Sequence, residues 1–171
     1  MMTLSSFAAP KFASSEMNLR LKDGALEQMQ QAKFDFDQKI KELPLHLVKW
    51  WLCNEIEGSE ITGEKDTEAI LNSMASTYPN SNILLTVGEK GSLYKSSNEC
   101  IHQPIYKVNA VDTTAAGDTF TGFFLGSLMK GLDTKKALEI AAAASAIAVS
   151  RQGASSSIPC IEDVNKFILN K

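Results

Sequence analysis

The chain has 171 residues, of which 44% are hydrophobic and 22% charged, and a formal net charge of −3. This suits one soluble globular domain and offers no basic footprint for nucleic acid. No apolar run reaches the length of a membrane span, and Cys53, Cys100 and Cys160 are too scattered for a metal pair or a disulfide framework, which fits a reducing cytoplasm.

Residues 1–17 are rich in Ser and Ala but lack the continuous apolar core of a signal peptide. A short helix is expected over 23–33, where Ala25, Leu26, Met29 and Ala32 recur at helical spacing. Residues 34–41 are ambiguous. After the turn at Leu43-Pro44-Leu45, the apolar run 47–53 has the length of a strand buried on both faces of a parallel sheet. The segment Asn54-Glu55-Ile56-Glu57 follows at its C-terminal end, where open α/β sheets bind ligands. A helix is expected over 64–77, barred from continuing by Pro79. A second buried strand covers 83–87, with a turn at 88–91. Short strands at 92–95 and 100–106 flank the loop 96–98 as a hairpin or meander. Three helices close the chain. The first runs over 116–129 and stops at Gly131. The second is alanine-rich, begins after Asp133 or Thr134 and reaches about Val149. The last spans 161–169. His46 and His102 read as surface or structural residues. No repeats occur, and the alternation of strands and helices indicates an α/β sandwich.

The chemistry centres on Val111-Asp112-Thr113-Thr114-Ala115-Ala116-Gly117-Asp118-Thr119-Phe120. Small residues at the start of a helix leave backbone N–H groups unpaired and facing outward, and the helix dipole adds positive potential. Such a turn suits phosphate. Asp118 beside it is either an ordinary first-turn acid complementing the dipole or a general base for a phosphoryl acceptor.

The whole string resembles the second signature of the ribokinase-like (PfkB) carbohydrate kinases, with Ala115 where that family often has Gly. Two further segments fit the same resemblance. Asn54-Glu55-Ile56-Glu57 is similar to the family's Asn-x-x-Glu motif, and Thr86-Val87-Gly88-Glu89-Lys90-Gly91 to its Thr-x-Gly-x-x-Gly nucleotide loop. Taken alone, the first could simply cap a helix and the second could be a turn between strands. The resemblance implies a ribokinase-like three-layer α/β sandwich that transfers the γ-phosphoryl group of ATP to a sugar hydroxyl, with ribose the leading candidate. Asp118 would be the base and a substrate contact. Ala115, Ala116 and Gly117 would form the anion hole. Asn54, Thr86, Val87, Gly88, Glu89, Lys90, Gly91, Gly117 and Asp118 would bind ATP. Glu57 would organise Mg²⁺ through water, in keeping with that ion's preference for few carboxylates plus water and phosphate oxygens. Asp112 and Thr114, with Ala148, Arg151, Gly153 and Ser157 from the second loop, would hold K⁺, mostly through carbonyls. Read by itself, that second loop is equally a solvated Ser-rich turn.

The resemblance covers 43–169 and leaves 1–42 as a poorly matching segment. The sugar-binding aspartate, the Gly-Gly motif and the small β lid of the family have no counterpart, so the sandwich is expected to be truncated, without its N-terminal sugar-binding half. Its sheet edge would then be exposed and open to a homodimer or another partner. The expected partners are ATP and a small sugar, with no nucleic acid and no membrane. A second reading is a non-catalytic nucleotide-binding or interaction module derived from such a kinase.

Overall fold

The computed structural model describes Gln28, Gln31, Ala32 and residues 42–170. The expected helix over 23–33 and the segment 34–41 lie largely outside the described residues. Among the described residues the architecture is a four-stranded sheet between two helical layers. In chain order the elements are β1 (Trp50–Asn54), α1 (Glu55–Thr62), α2 (Thr67–Thr77), β2 (Asn82–Thr86), β3 (Ser92–Lys95), β4 (Cys100–Gln103), α3 (Ala116–Met129), α4 (Thr134–Val149) and α5 (Ile161–Leu169). No helix among them is long and apolar enough to cross a membrane.

The sheet runs in the order β1-β2-β3-β4. β1 and β2 are parallel, joined by the crossover through α1 and α2, and both later pairings are antiparallel. Alternation along each strand separates two cores. Trp51, Cys53, Ile83 and Leu85 face α2, where Ile70, Leu71 and Met74 are buried. Leu84 and the half-buried Trp50 and Leu52 face the opposite way, onto Phe120 and Phe124 of α3 and Leu138 and Ala141 of α4. Both faces of β2 are thus covered, which is why its centre, Ile83-Leu84-Leu85, is apolar without alternation.

The alanine run of α4 has a packing reason. Ala137, Ala141, Ala143 and Ala144 are all fully buried, so α3 and α5 can approach α4 closely. On the far side of α4, Val164 of α5 seals a third cluster with Ile140, Ala143, Ala144 and Ile147. α3 differs at its C-terminal end, where Met129 is 88% exposed.

The structure departs from the sequence expectation at several elements. The strand expected at 47–53 begins only at Trp50, because Leu45–Leu47 closes into a 3₁₀ turn behind Pro44. The helix expected over 64–77 starts at Thr67, where the Asp66 carboxylate accepts from the N–H groups of Glu68 and Ala69, both at 3.0 Å. A separate eight-residue helix, α1, precedes it and ends at Gly63. β4 stops at Gln103, since Pro104 cannot donate to a ladder. The remaining helices match their expected limits, with Asp133 as the cap of α4.

Phe124 is fully buried and packs edge-on against Trp50, with ring centroids 5.6 Å apart. Phe124→Ala is expected to destabilise the fold by about 3–5 kcal/mol, measured by urea unfolding. A loss below about 1 kcal/mol would show that α3 is not docked on the sheet as described.

Candidate active site

The site forms where β1 and β2 end. Asn54 and Thr86 are register partners in the parallel pair, so both stand side by side at its C-terminal rim. The N-terminus of α3 meets them there. A cleft of about 200 Å³ results, lined by Asn54, Glu57, Thr86, Thr114, Gly117 and Asp118 among others. Segments spread over more than sixty residues of sequence therefore converge at one place.

How the helix ends are treated explains what the cleft can bind. Asn54 caps α1, its Oδ1 accepting from the N–H groups of Ile56 and Glu57, both at 2.9 Å. Glu57 Oε2 returns the favour, accepting from Asn54 N–H at 3.0 Å, which completes a capping box. The capping role weighed for this motif is thus present. It leaves Asn54 Nδ2 and Glu57 Oε1 outside the box. α2 and α4 are capped by Asp66 and Asp133. α3 is not capped. Ala115 precedes it with no side-chain hydrogen bond, and among the described residues only the Ala116 and Thr119 N–H groups of its first turn find carbonyls, those of Thr113 and Ala115. The N–H groups of Gly117 and Asp118 remain for a ligand at a positive helix end.

The turn carrying these amides is tied to the end of α4. Val111 N–H and Asp112 N–H both donate to the Val149 carbonyl, at 2.7 and 3.2 Å. Asp112 Oδ1 accepts from the N–H and hydroxyl of Thr114, at 2.9 and 2.6 Å, and Asp112 Oδ2 accepts from Gly153 N–H at 3.0 Å. Gly153 has φ +99°, a conformation that favours glycine. These bonds hold the Asp112 carboxyl below the usual carboxylate range, the Thr114 hydroxyl contributing most. Ser157, fully buried, donates to the Ala154 carbonyl at 2.7 Å. The Arg151 guanidinium is paired with Asp163 at 3.3 Å. The Ala148 carbonyl accepts from Arg151 N–H at 3.1 Å.

The structure thus groups the expected residues into three places. Asn54, Glu57, Thr86, Thr114, Gly117 and Asp118 share the cleft. Val87, Gly88, Glu89, Lys90 and Gly91 form the tight connection between β2 and β3, closed by Val87 N–H on the Gly91 carbonyl at 2.9 Å. A side chain on Gly91 would run into the Gln103 carbonyl of β4, so this glycine is required by sheet packing. Asp112 and Gly153 meet behind the turn, while the Arg151 side chain pairs with Asp163 and Ser157 bonds within its own loop. Ala115, at 5% exposure, contributes backbone only. Sequence reasoning missed Leu52, Cys53, Leu84, Phe120 and Thr121 as lining residues. Thr121 lies one helical turn beyond Gly117, a spacing that could have found it. Burial pushes the Cys53 thiol up to about 12, with the Glu57 charge adding to the effect, so it stays a neutral thiol rather than a nucleophile.

Residues 10–161 match the pfkB family of carbohydrate kinases. The chain belongs to that family. It is 37% identical over 127 residues to a ribokinase of Staphylococcus aureus, an alignment covering 71% of this chain and 42% of the relative. The ribokinase of Arabidopsis thaliana, solved with ribose and ATP, superposes with a TM-score of 0.68 at 33% identity, covering 72% of this chain and 42% of that one. A candidate ribokinase II from E. coli, solved with ATP and Mg²⁺, gives 0.67 at 27% identity, covering 74% of this chain and 41% of the other. The chain therefore has the ribokinase-like α/β fold in part, spanning about two-fifths of the length of the relatives it matches. The family match also reaches back into the segment 1–42.

The Asp112 tether predicts a pH dependence. Its folded-state pKa is depressed, so its contribution to stability is complete above the unfolded aspartate value of about 3.9 and disappears as pH falls through the folded value. The melting temperature of Asp112→Asn should lie below that of the original chain by a constant gap from pH 5 to 8, and the gap should shrink below about pH 4. A gap independent of pH across that range would show that the charge on Asp112 adds nothing.

Proposed function

We propose that the chain is the nucleotide-binding and phosphoryl-transfer portion of an ATP-dependent sugar kinase of ribokinase type. The observation that carries this reading is the uncapped N-terminus of α3, set beside Asp118 at the C-terminal rim of the parallel pair. Three of the other four helices spend an Asn or Asp on their first amides, and α5, also without a side-chain cap, does not line this cleft. Leaving Gly117 and Asp118 N–H groups vacant in a cleft suits an incoming phosphate. The ATP present in two solved relatives supports the same ligand.

In this reading Asp118 accepts the proton of the sugar hydroxyl as its oxygen attacks the γ-phosphorus, and ADP departs with the bond to the bridging oxygen. The turn amides stabilise charge on the transferring group. Thr86 and the connection through Gly91 flank the nucleotide. Mg²⁺ neutralises phosphate charge when bound. The donor set fits it, since Glu57 faces the cleft with Oε1 outside the capping box, suited to holding an ion through water. K⁺ is assigned to the cluster behind the turn. Both Asp112 carboxylate oxygens are engaged by hydrogen bonds, so this cluster would offer the ion backbone carbonyls of Asp112, Thr114, Ala148, Arg151 and Gly153 together with Ser157. Ribose is the favoured acceptor, on the strength of the ribokinase relatives. A cytoplasmic setting suits the three free cysteines.

The alternative, a non-catalytic nucleotide-binding or interaction module, is favoured by one observation. Met129 at the end of α3 is nearly uncovered, which suits a contact with a partner. Transfer needs an acceptor hydroxyl held in line, and the described cleft is built from the nucleotide side.

A thermal unfolding scan in potassium buffer tests the reading. Mg-ATP at a hundred times its Kd should stabilise the native state by about 2.7 kcal/mol and raise the midpoint by several degrees. A cooperative transition unmoved by Mg-ATP would overturn the nucleotide assignment. Asp118→Asn should keep the shift, while lowering sugar-dependent ATP turnover about 10²-fold or more wherever turnover is measurable. Retained turnover would remove Asp118 as the base. The 171-residue chain alone should show weak or no sugar-dependent turnover, and robust activity would overturn that expectation.

A further inference from the structure

We infer that Ser145 is a positioning residue for the anion-binding turn, acting through the Ala116–Gly117 peptide group. The inference rests on the phosphate reading of the cleft and deepens it. Ser145 lies on α4, half-buried among alanines, and its hydroxyl donates to the Ala116 carbonyl at 3.1 Å. The two residues are 29 positions apart, so the bond is tertiary.

Its consequence follows from peptide geometry. The Ala116 carbonyl and the Gly117 N–H belong to one planar trans unit and point in opposite directions. A donor that fixes the carbonyl on the α4 side therefore aims the Gly117 N–H away from α4. Gly117 lines the cleft on that other side, and no group among the described residues accepts its N–H. Hydrogen bonding to the carbonyl also polarises the same peptide, which strengthens its N–H as a donor. Ser145 thus both orients and activates one amide of the anion site without touching a ligand.

Apart from the backbone ladder of α3, which begins at Ala116, the other ties on this turn act elsewhere. Asp112 and Val111 are held to Val149 and Gly153, upstream of the amides. Ala115 is fixed by burial and by accepting from Thr119 N–H at 2.9 Å. Ser145 is the side chain that acts on the Ala116–Gly117 peptide itself. In so alanine-rich a helix, Ser145→Ala preserves helix propensity and packing, so the variant should fold.

The test compares the original chain, Ser145→Ala and Ser145→Thr by titration calorimetry with Mg-ADP and with the Mg complex of the β,γ-imido analogue of ATP. The anion turn faces the transferring phosphoryl group, so Ser145→Ala should weaken the triphosphate analogue roughly threefold to tenfold and leave ADP unchanged. Ser145→Thr, which keeps the hydroxyl, should restore the difference. In the ligand-free protein the Gly117 amide proton should move upfield in Ser145→Ala and return in Ser145→Thr. Equal weakening of both nucleotides, unchanged affinity for both, or a loss that threonine does not restore would overturn the role of Ser145. Failure of the original chain to bind either nucleotide would overturn the nucleotide reading and this inference with it, and is distinguished by needing no variant.

Discussion

The turn from Val111 to Asp118 is held on α4 from both ends, and the placement of the site depends on that clamp. At one end the Val149 carbonyl receives the Val111 and Asp112 amides, and Gly153 N–H reaches the Asp112 carboxylate. At the other, Ser145 reaches the Ala116 carbonyl. α4 is itself fixed in the fold by fully buried alanines and by Leu138. The start of α3 is thereby referenced to the core rather than to the flexible geometry of a loop. Its vacant amides can stay vacant because the backbone has other means of keeping its shape. A cap such as Asn54, Asp66 or Asp133 would occupy the groups that a phosphate needs.

The same logic explains the division of labour around the cleft. The parallel pair supplies a rim on which Asn54 and Thr86 are neighbours by register. Glu57 is held by its own capping box, which orients the carboxylate before any ligand arrives. Asp118 is the one acid in the first turn of α3, adjacent to the vacant amides. Charge of either sign is thus placed on well-supported elements, as phosphoryl transfer by positioning and electrostatics requires.

Much of this was legible in the sequence because the inner strand β2 is covered on both faces. The run Ile83 to Leu85 is apolar, and β2 lies within one residue of its expected limits with Ile83, Leu84 and Leu85 buried. The ends of elements were less legible, since local hydrogen-bond chemistry decides them. Asn54 and Glu57 read as ligand-binding residues with a helix cap as the alternative, but the extent of the eight-residue helix they start is not legible. Its apolar pattern is too short to announce itself. Pro104 ends β4 two residues after His102, although the side chains of Ile105 and Tyr106 continue the strand pattern. In the site, the motifs supplied Asp112, Gly117 and Asp118. The bonds joining Asp112 to Gly153 and Ser145 to Ala116 span 41 and 29 residues and arise only from the packing of α3 on α4.

The central claim is that the start of α3 and the rim of the parallel pair together receive a nucleoside triphosphate. Amide hydrogen exchange with and without Mg-ATP tests it most directly. Protection is expected at residues 115–118 and 86–91, with α2 and the outer strand β4 unchanged. Protection confined to other surfaces, or none at the α3 start under saturating nucleotide, would contradict the account.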